Sequence, residues 1–372
     1  MKAMFLTLAL PVALGCAAPV GAEGNPDASD GSAGIGPNTQ APQLLTKAEN
    51  NPGSSGNSAE IEPDTQAFQL LAKAEGNPDS PGNGVGTGPG TPKPELVHAF
   101  GMDLFMSSDA DKNDVRRLGF NFDIKYRNPE QYLGIRLEHA WYRLDGQETK
   151  IRDRGFIWYA DKNSDWAWNA QVGTDGNTVI GSADIHDNAK FRKEFFVERD
   201  IIETPMGFER GLYYTFLGGA VDIPMSKNDG LALVGGVQDF TGSNVRWHAK
   251  ATYTHMLVPD WGLSIQLRTR YYYDTQPWEY DYYSPKYYFQ VLPTLQIRRY
   301  YGGWRYMLAV GLGGQRAAED SWHPSRFMAA EITSPPIGRN WYFKASALYS
   351  NTPFEAGIYD YVQFMLSLTR RF

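Results

Sequence analysis

The sequence predicts an all-β protein: a transmembrane, antiparallel up-and-down β-barrel of about sixteen strands, preceded by a disordered, repeat-containing N-terminal segment. Three observations carry that prediction. From Val97 onward, apolar and polar residues alternate in segments of about ten residues separated by turn residues, the pattern of strands with one face in lipid and one in water. The aromatic residues, 19 Phe, 10 Trp and 22 Tyr, crowd into the same region, with only Phe5 and Phe68 preceding it. The chain ends on Phe372, which closes an alternating face of Val362, Phe364, Leu366 and Leu368.

Composition narrows the classes of function. The 372 residues carry 35 Lys+Arg against 42 Asp+Glu, a formal charge of −7, and one Cys. A nucleic-acid binder shows a basic excess, so this balance argues against that class. No stretch approaches the ~20 consecutive apolar residues of a spanning helix, which leaves strands as the way across a membrane.

Residues 1–22 read as a secretory signal peptide. Met1-Lys2 supplies a positive start, Ala3 to Gly15 an apolar stretch broken only by Thr7 and Pro11, and small residues follow through Ala22. Val20-Gly21-Ala22 makes a small-residue cleavage site before Glu23. The alternative is a lipoprotein box, Ala13-Leu14-Gly15-Cys16, with Cys16 lipidated. After cleavage at Ala22 the chain holds no Cys, which suits an exported protein that folds without disulfides.

Residues 23–94 follow as a low-complexity acidic linker, with 9 acidic and 3 basic residues. Residues 35–52 realign with 61–78 at a period of 26, and 22–27 is a partial third copy. Each unit holds one short candidate helix, 39–49 or 65–75, flanked by Pro, Gly, Asn and Ser. Stacked repeats need about three complete units of paired elements, so these units bury no core. The direct reading is a flexible tether in the periplasm. Docking to a periplasmic partner or to the cell wall is the other.

Residues 95–372 are the expected barrel. Segments start near 97, 116, 132, 154, 166, 177, 190, 210, 229, 244, 261, 284, 302, 324, 339 and 359. An even count suits a bacterial single-chain barrel with both termini in the periplasm. In the second segment Leu118, Phe120, Phe122, Ile124 and Tyr126 take one face, against Gly119, Asn121, Asp123, Lys125 and Arg127. In the eleventh, Leu263, Ile265 and Leu267 oppose Ser264, Gln266, Arg268 and Arg270. Connections after even strands read as short turns, whereas 146–153, 202–209, 275–283, 316–323 and 351–358 read as longer loops at the other end. Those after strands five and nine are short, which keeps fourteen or eighteen strands as alternatives. Trp247, Trp261, Tyr271, Tyr273, Trp304 and Trp341 lie near strand ends, where girdles contact outer-membrane lipid. The closing face to Phe372 looks like the insertion signal read by the outer-membrane barrel assembly machinery. Arg370 departs from it on a lipid-facing register; near the interface its stem snorkels, at a cost of ~0–1 kcal/mol. A soluble β-sandwich also alternates on one face, but the leader and the terminal Phe argue against it.

In a barrel the polar faces line the interior. This assigns Arg246, His248, Lys250, Gln266, Arg268, Arg270, Gln296 and Arg298 to a basic quadrant, with Tyr272 and Tyr288 also inward. Asp123, Glu138, Glu194 and Glu198 fall on the opposite wall, together with Lys125, Arg136 and Arg192. Such a field favours anionic or hydroxyl-rich cargo; mutual pairing of the lumen charges is the alternative. Between Tyr271 and Phe289, ten of nineteen residues are aromatic, among Asp274, Glu279, Asp281 and Lys286. That composition fits a platform on which sugar rings stack, or a girdle with an extracellular loop. No nucleophile, base and orienting group share a motif, and His186-Asp187 and His323-Pro324 read as turns. No Cys/His spacing suggests a metal site. Neither a catalytic residue, a metal nor a cofactor is expected.

The sixteen-strand count, Gly235-Gly-Val-Gln-Asp-Phe-Thr-Gly-Ser-Asn-Val-Arg246, Tyr283-Ser-Pro-Lys-Tyr-Tyr288 and the closing strand carry a resemblance. Over roughly 96–372 the chain resembles the barrel domain of bacterial exopolysaccharide-secretion outer-membrane porins. That family includes the cellulose-synthesis outer-membrane subunit and the poly-β-1,6-N-acetylglucosamine export porin. There, a superhelix of tetratricopeptide repeats precedes the barrel; here the 26-residue units stand in that place, shorter than a repeat of about 34 residues. The resemblance implies polysaccharide cargo passing through the pore, and carries over no catalytic residue. A general small-solute diffusion porin, or a plugged barrel anchoring a periplasmic tail, are the alternatives.

Overall fold

Alternation at period 2 gives each strand an outward and an inward row of side chains, and sheet closure removes the unpaired edges. The computed structural model describes residues 97–372 apart from 111, 129, 319, 336, 338, 339, 355 and 356. The expected signal peptide, Cys16 and the 23–94 linker lie outside the described residues. Among the described residues sixteen strands pair in chain order into one closed antiparallel barrel. The first quarter is β1 (Val97–Asp109), β2 (Asp114–Asn128), β3 (Gln131–Arg143) and β4 (Lys150–Lys162). Then come β5 (Trp166–Thr174), β6 (Val179–Asp187), β7 (Lys193–Ile201) and β8 (Tyr213–Pro224). The third quarter is β9 (Asp229–Phe240), β10 (Val245–Val258), β11 (Leu263–Asp274) and β12 (Tyr287–Tyr301). Last are β13 (Trp304–Ala317), β14 (His323–Thr333), β15 (Trp341–Phe354) and β16 (Gly357–Arg371). The starts fall within about four residues of those expected.

The seam is β1 against β16, from Ala99 opposite Arg371 to Asp109 opposite Tyr361. The Phe372 N–H donates to the His98 carbonyl at 2.9 Å and finishes the ladder at the end that carries both termini. The wall is uneven: β5, β6 and β7 have nine residues each, whereas β2, β12 and β16 have fifteen.

Burial is inverted relative to a water-soluble protein. Hydrocarbon side chains such as Leu217 and Leu312 are 62% and 67% exposed on the outside, while Arg246, Gln238 and Gln266 are fully buried inside. An exterior of that kind suits lipid. Arg370, the odd residue of the closing face, stacks its guanidinium 5.3 Å over the ring of Trp341, which is how the outer row accommodates a charge.

Three sequence expectations are corrected, and the strand count stands. A β-bulge interrupts β2 between Asp123 and Lys125 in its pairing with β3, adding one residue to that edge. Tyr126 therefore turns inward and is buried, its ring tilted against that of Tyr342 with centroids 6.1 Å apart, and Lys125 is exposed. The long loop expected at 351–358 shrinks, because β15 and β16 extend their pairing to Phe354 opposite Gly357. His186 and His323, expected in turns, lie within β6 and at the start of β14. Sixteen strands stand, rather than fourteen or eighteen.

Candidate functional site

Two of the longer connections, 202–212 and 275–286, enter the lumen at the end away from the termini. The first contains a short helix, α1 (Pro205–Arg210), whose ends the local sequence specifies. Thr204 caps it, its hydroxyl accepting from the Gly207 N–H at 3.0 Å, and Pro205 takes the first turn, where no N–H is needed. Gly211 stops it in the left-handed region at φ +66°. Ile202, Glu203, Thr204 and Leu212 are all buried.

The second segment docks on the first. Asp281 receives the Thr204 hydroxyl at 2.6 Å and the Met206 N–H at 2.7 Å. Burial raises the Asp281 carboxyl above the usual carboxylate range, and those two hydrogen bonds pull it partly back. Tyr282 stacks on Phe240 of β9 with centroids 4.5 Å apart, and Glu279 accepts from the N–H groups of Ser243 and Asn244. Gly242 makes that approach available: at φ +123°, an added Cβ would sit 2.8 Å from both Glu279 oxygens.

Together the segments reach both sides of the barrel. Toward β2–β4, Glu203 pairs with Arg117 at 2.5 Å, and Phe208 packs against Tyr142 at 4.6 Å with Arg152 above it. Toward β10–β12, Arg246 donates to Asp274 at 3.0 Å and to the Tyr283 carbonyl at 2.5 Å. This end of the lumen is filled by protein. Below it, a cavity of about 350 Å³ is lined by Asp103, Arg136, Glu138, Arg154, Asp200 and Lys344, among others.

The inward residues read from alternation fall on two walls half a barrel apart. On β10–β12, Arg246 is 1% exposed beneath the second segment. Tyr272 and Tyr288 stack there at 4.9 Å and are fully buried, beneath Arg246 and Arg270. They face inward as expected, but in this state they are covered rather than presented to the pore. The His248 ring bonds Gln238 at 3.0 Å. Arg268 donates to Gln266 at 2.6–2.8 Å and to Gln296 at 3.4 Å. Lys250, Arg268 and Arg298 are half-buried lumen residues nearer the middle and the terminal end.

On the other wall, Asp123 accepts from Trp158 at 2.8 Å. Glu138 lies between Arg136 at 3.0 Å and Arg154 at 3.4 Å, and Arg154 also meets Asp200 at 2.5 Å. Glu198 accepts from Tyr214 at 3.0 Å, and Glu194 takes Arg192 at 2.7 Å. Sequence reasoning missed α1 and the Thr204–Asp281 junction. Their one local signal was Thr204-Pro205 with Gly211 beyond, a start and stop for a single helical turn.

No protein-family model matches the chain, and no curated relative does. Among solved structures, a bacterial polysaccharide outer membrane secretin is similar with a TM-score of 0.59 at 12% identity, covering 74% of this chain and 98% of that one. OccK5 (OpdH) from Pseudomonas aeruginosa is similar with a TM-score of 0.39 at 11% identity, covering 75% of this chain and 98% of that one. At such identities the likeness concerns the fold.

Proposed function

We propose that this barrel is an outer-membrane channel through which a hydrophilic exopolysaccharide leaves the cell, using no cofactor. The observation that carries the reading is the inward face of β10–β12. It carries Arg246, Lys250, Arg268, Arg270 and Arg298, interleaved with Gln266, Gln296, Tyr272 and Tyr288, from one mouth to the other, with Arg246, Tyr272 and Tyr288 beneath the infolded 275–286. Among the described residues of that face the one carboxylate is Asp274. Amide, guanidinium and phenol groups exchange hydrogen bonds with sugar hydroxyls at small net cost, and conduction needs many weak sites rather than one tight one. The solved structure of similar fold is, by its name, a bacterial polysaccharide outer membrane secretin, which supports the same reading. In the closed arrangement 202–212 and 275–286 cover the path, so export requires them to move.

The test is conductance of the purified chain in planar bilayers with and without oligosaccharide, beside polymer secretion by cells. An exporter shows current that oligosaccharide blocks, and Arg268→Ala with Arg270→Ala lowers secreted polymer several-fold. Current indifferent to glycans sinks this reading in favour of a small-solute porin. The infolded segments favour one further alternative, a plugged barrel that anchors residues 23–94 to a partner or the cell wall. Almost no current, even after deletion of 276–283, with a phenotype on removing 23–94, would establish it.

A further inference from the structure

One cluster of ligand-type side chains lies apart from the infolded segments and the basic wall. Asp184 and His186 sit two residues apart on the inward face of β6, and His186 pairs across the ladder with Glu194 of β7. One carboxylate oxygen from each acid and one imidazole nitrogen lie within 4.8 Å of one another. We propose that Asp184, His186 and Glu194 bind a first-row divalent cation of the Zn²⁺ class at the terminal end of the lumen.

The donor set is one imidazole and two carboxylates, which suits a borderline cation better than Ca²⁺ or Mg²⁺. The geometry agrees. Asp184 Oδ2 and His186 Nδ1 are both sealed from solvent, make no protein hydrogen bond, and stand 3.7 Å apart. That is too far for a hydrogen bond, yet within reach of two bonds of ~2.0–2.2 Å to one shared ion. Asn169 Nδ2 donates to Asp184 Oδ1 and so holds the carboxylate with its other oxygen toward His186, the supporting role that ligand carboxylates need. Arg192 lies beside the cluster, 2.7 Å from Glu194 and 3.8 Å from Asp222.

The experiment is calorimetric titration of Zn²⁺ alone into the purified full chain, stripped with chelator in detergent. Folding of every variant is checked by heat-modifiable gel migration. The expected result is about one tightly held zinc per chain, lost in His186→Gln. Asn169→Ala keeps all three ligands and should weaken binding by about 10–100-fold, so it decides the matter if His186→Gln fails to fold. His139, His255 and His323 each lie beside an aspartate on the barrel and offer weak competing sites. The triple variant H139Q/H255Q/H323Q should therefore keep the stoichiometric zinc. Absence of binding at micromolar zinc, unchanged binding in both His186→Gln and Asn169→Ala, or loss in the triple variant would each overturn the proposal.

Discussion

On the wall of β1–β7 arginine meets carboxylate: Arg136 with Asp103 and Glu138, Arg154 with Glu138 and Asp200, and Arg117 with Glu203 of the infolded 202–212. On the wall of β10–β12, apart from the buried Arg246–Asp274 pair at one end, it meets amides and rings: Arg268 with Gln266 and Gln296, Arg270 over Tyr272 and Tyr288. The first arrangement is hard to exchange, because withdrawing either partner strands a buried charge. The second is easy to exchange, since a hydroxyl of a passing molecule replaces an amide oxygen at little net change. One lumen thus holds a rigid wall and a sliding wall, and side-chain company rather than charge alone distinguishes them.

The largest effect that sharpens this contrast is expected from Arg154→Met. Its side chain is 6% exposed between two acids, and its loss should destabilise the barrel by about 3–5 kcal/mol in urea unfolding. Arg268→Ala should differ by a factor of several, at about 1 kcal/mol, and instead shift the reversal potential in a salt gradient toward cations. Equal destabilisation by the two would break the comparison.

Between these extremes lies the junction of the infolded segments. Thr204→Val removes a cap and a hydroxyl given to a carboxylate, and should loosen 202–212 by about 1–3 kcal/mol, read as faster amide exchange there. The smallest effect is on pH. Because burial, with Glu209 nearby, raises Asp281 above its unfolded value, the charged form is the disfavoured one in the folded junction. Acidification through the raised pKa therefore stabilises the junction, until the unfolded carboxyl also protonates; raising the pH back through that window loosens it, with no further change above it. Conductance should rise with pH over that window, and Asp281→Asn should flatten the dependence.

Most of the barrel was legible because lipid and water impose period 2 on every strand, and Leu263, Ile265 and Leu267 obey it without exception. What escaped was non-local. Lys125 and Tyr126 exchange faces at a bulge that leaves no local mark beyond a polar run. Tyr272 and Tyr288 were read as inward, but their covering by 275–286 depends on Asp281 reaching α1 across 77 residues of chain. His186-Asp187 was read as a turn, whereas the ladder that pairs His186 with Glu194 carries β6 through it.

The nine-residue strands β5–β7 have a mechanical consequence. At ~3.3 Å per residue and a tilt near 40°, they rise only about 23 Å, while the fifteen-residue β2, β12 and β16 rise about 38 Å. That rise just matches the ~25 Å apolar band of an outer-membrane barrel, so β5–β7 add little wall beyond the bilayer, whereas the longer strands project past it. The proposed cation cluster sits behind that low wall, on the β6–β7 hairpin, where little protein stands between it and the rim at the terminal end.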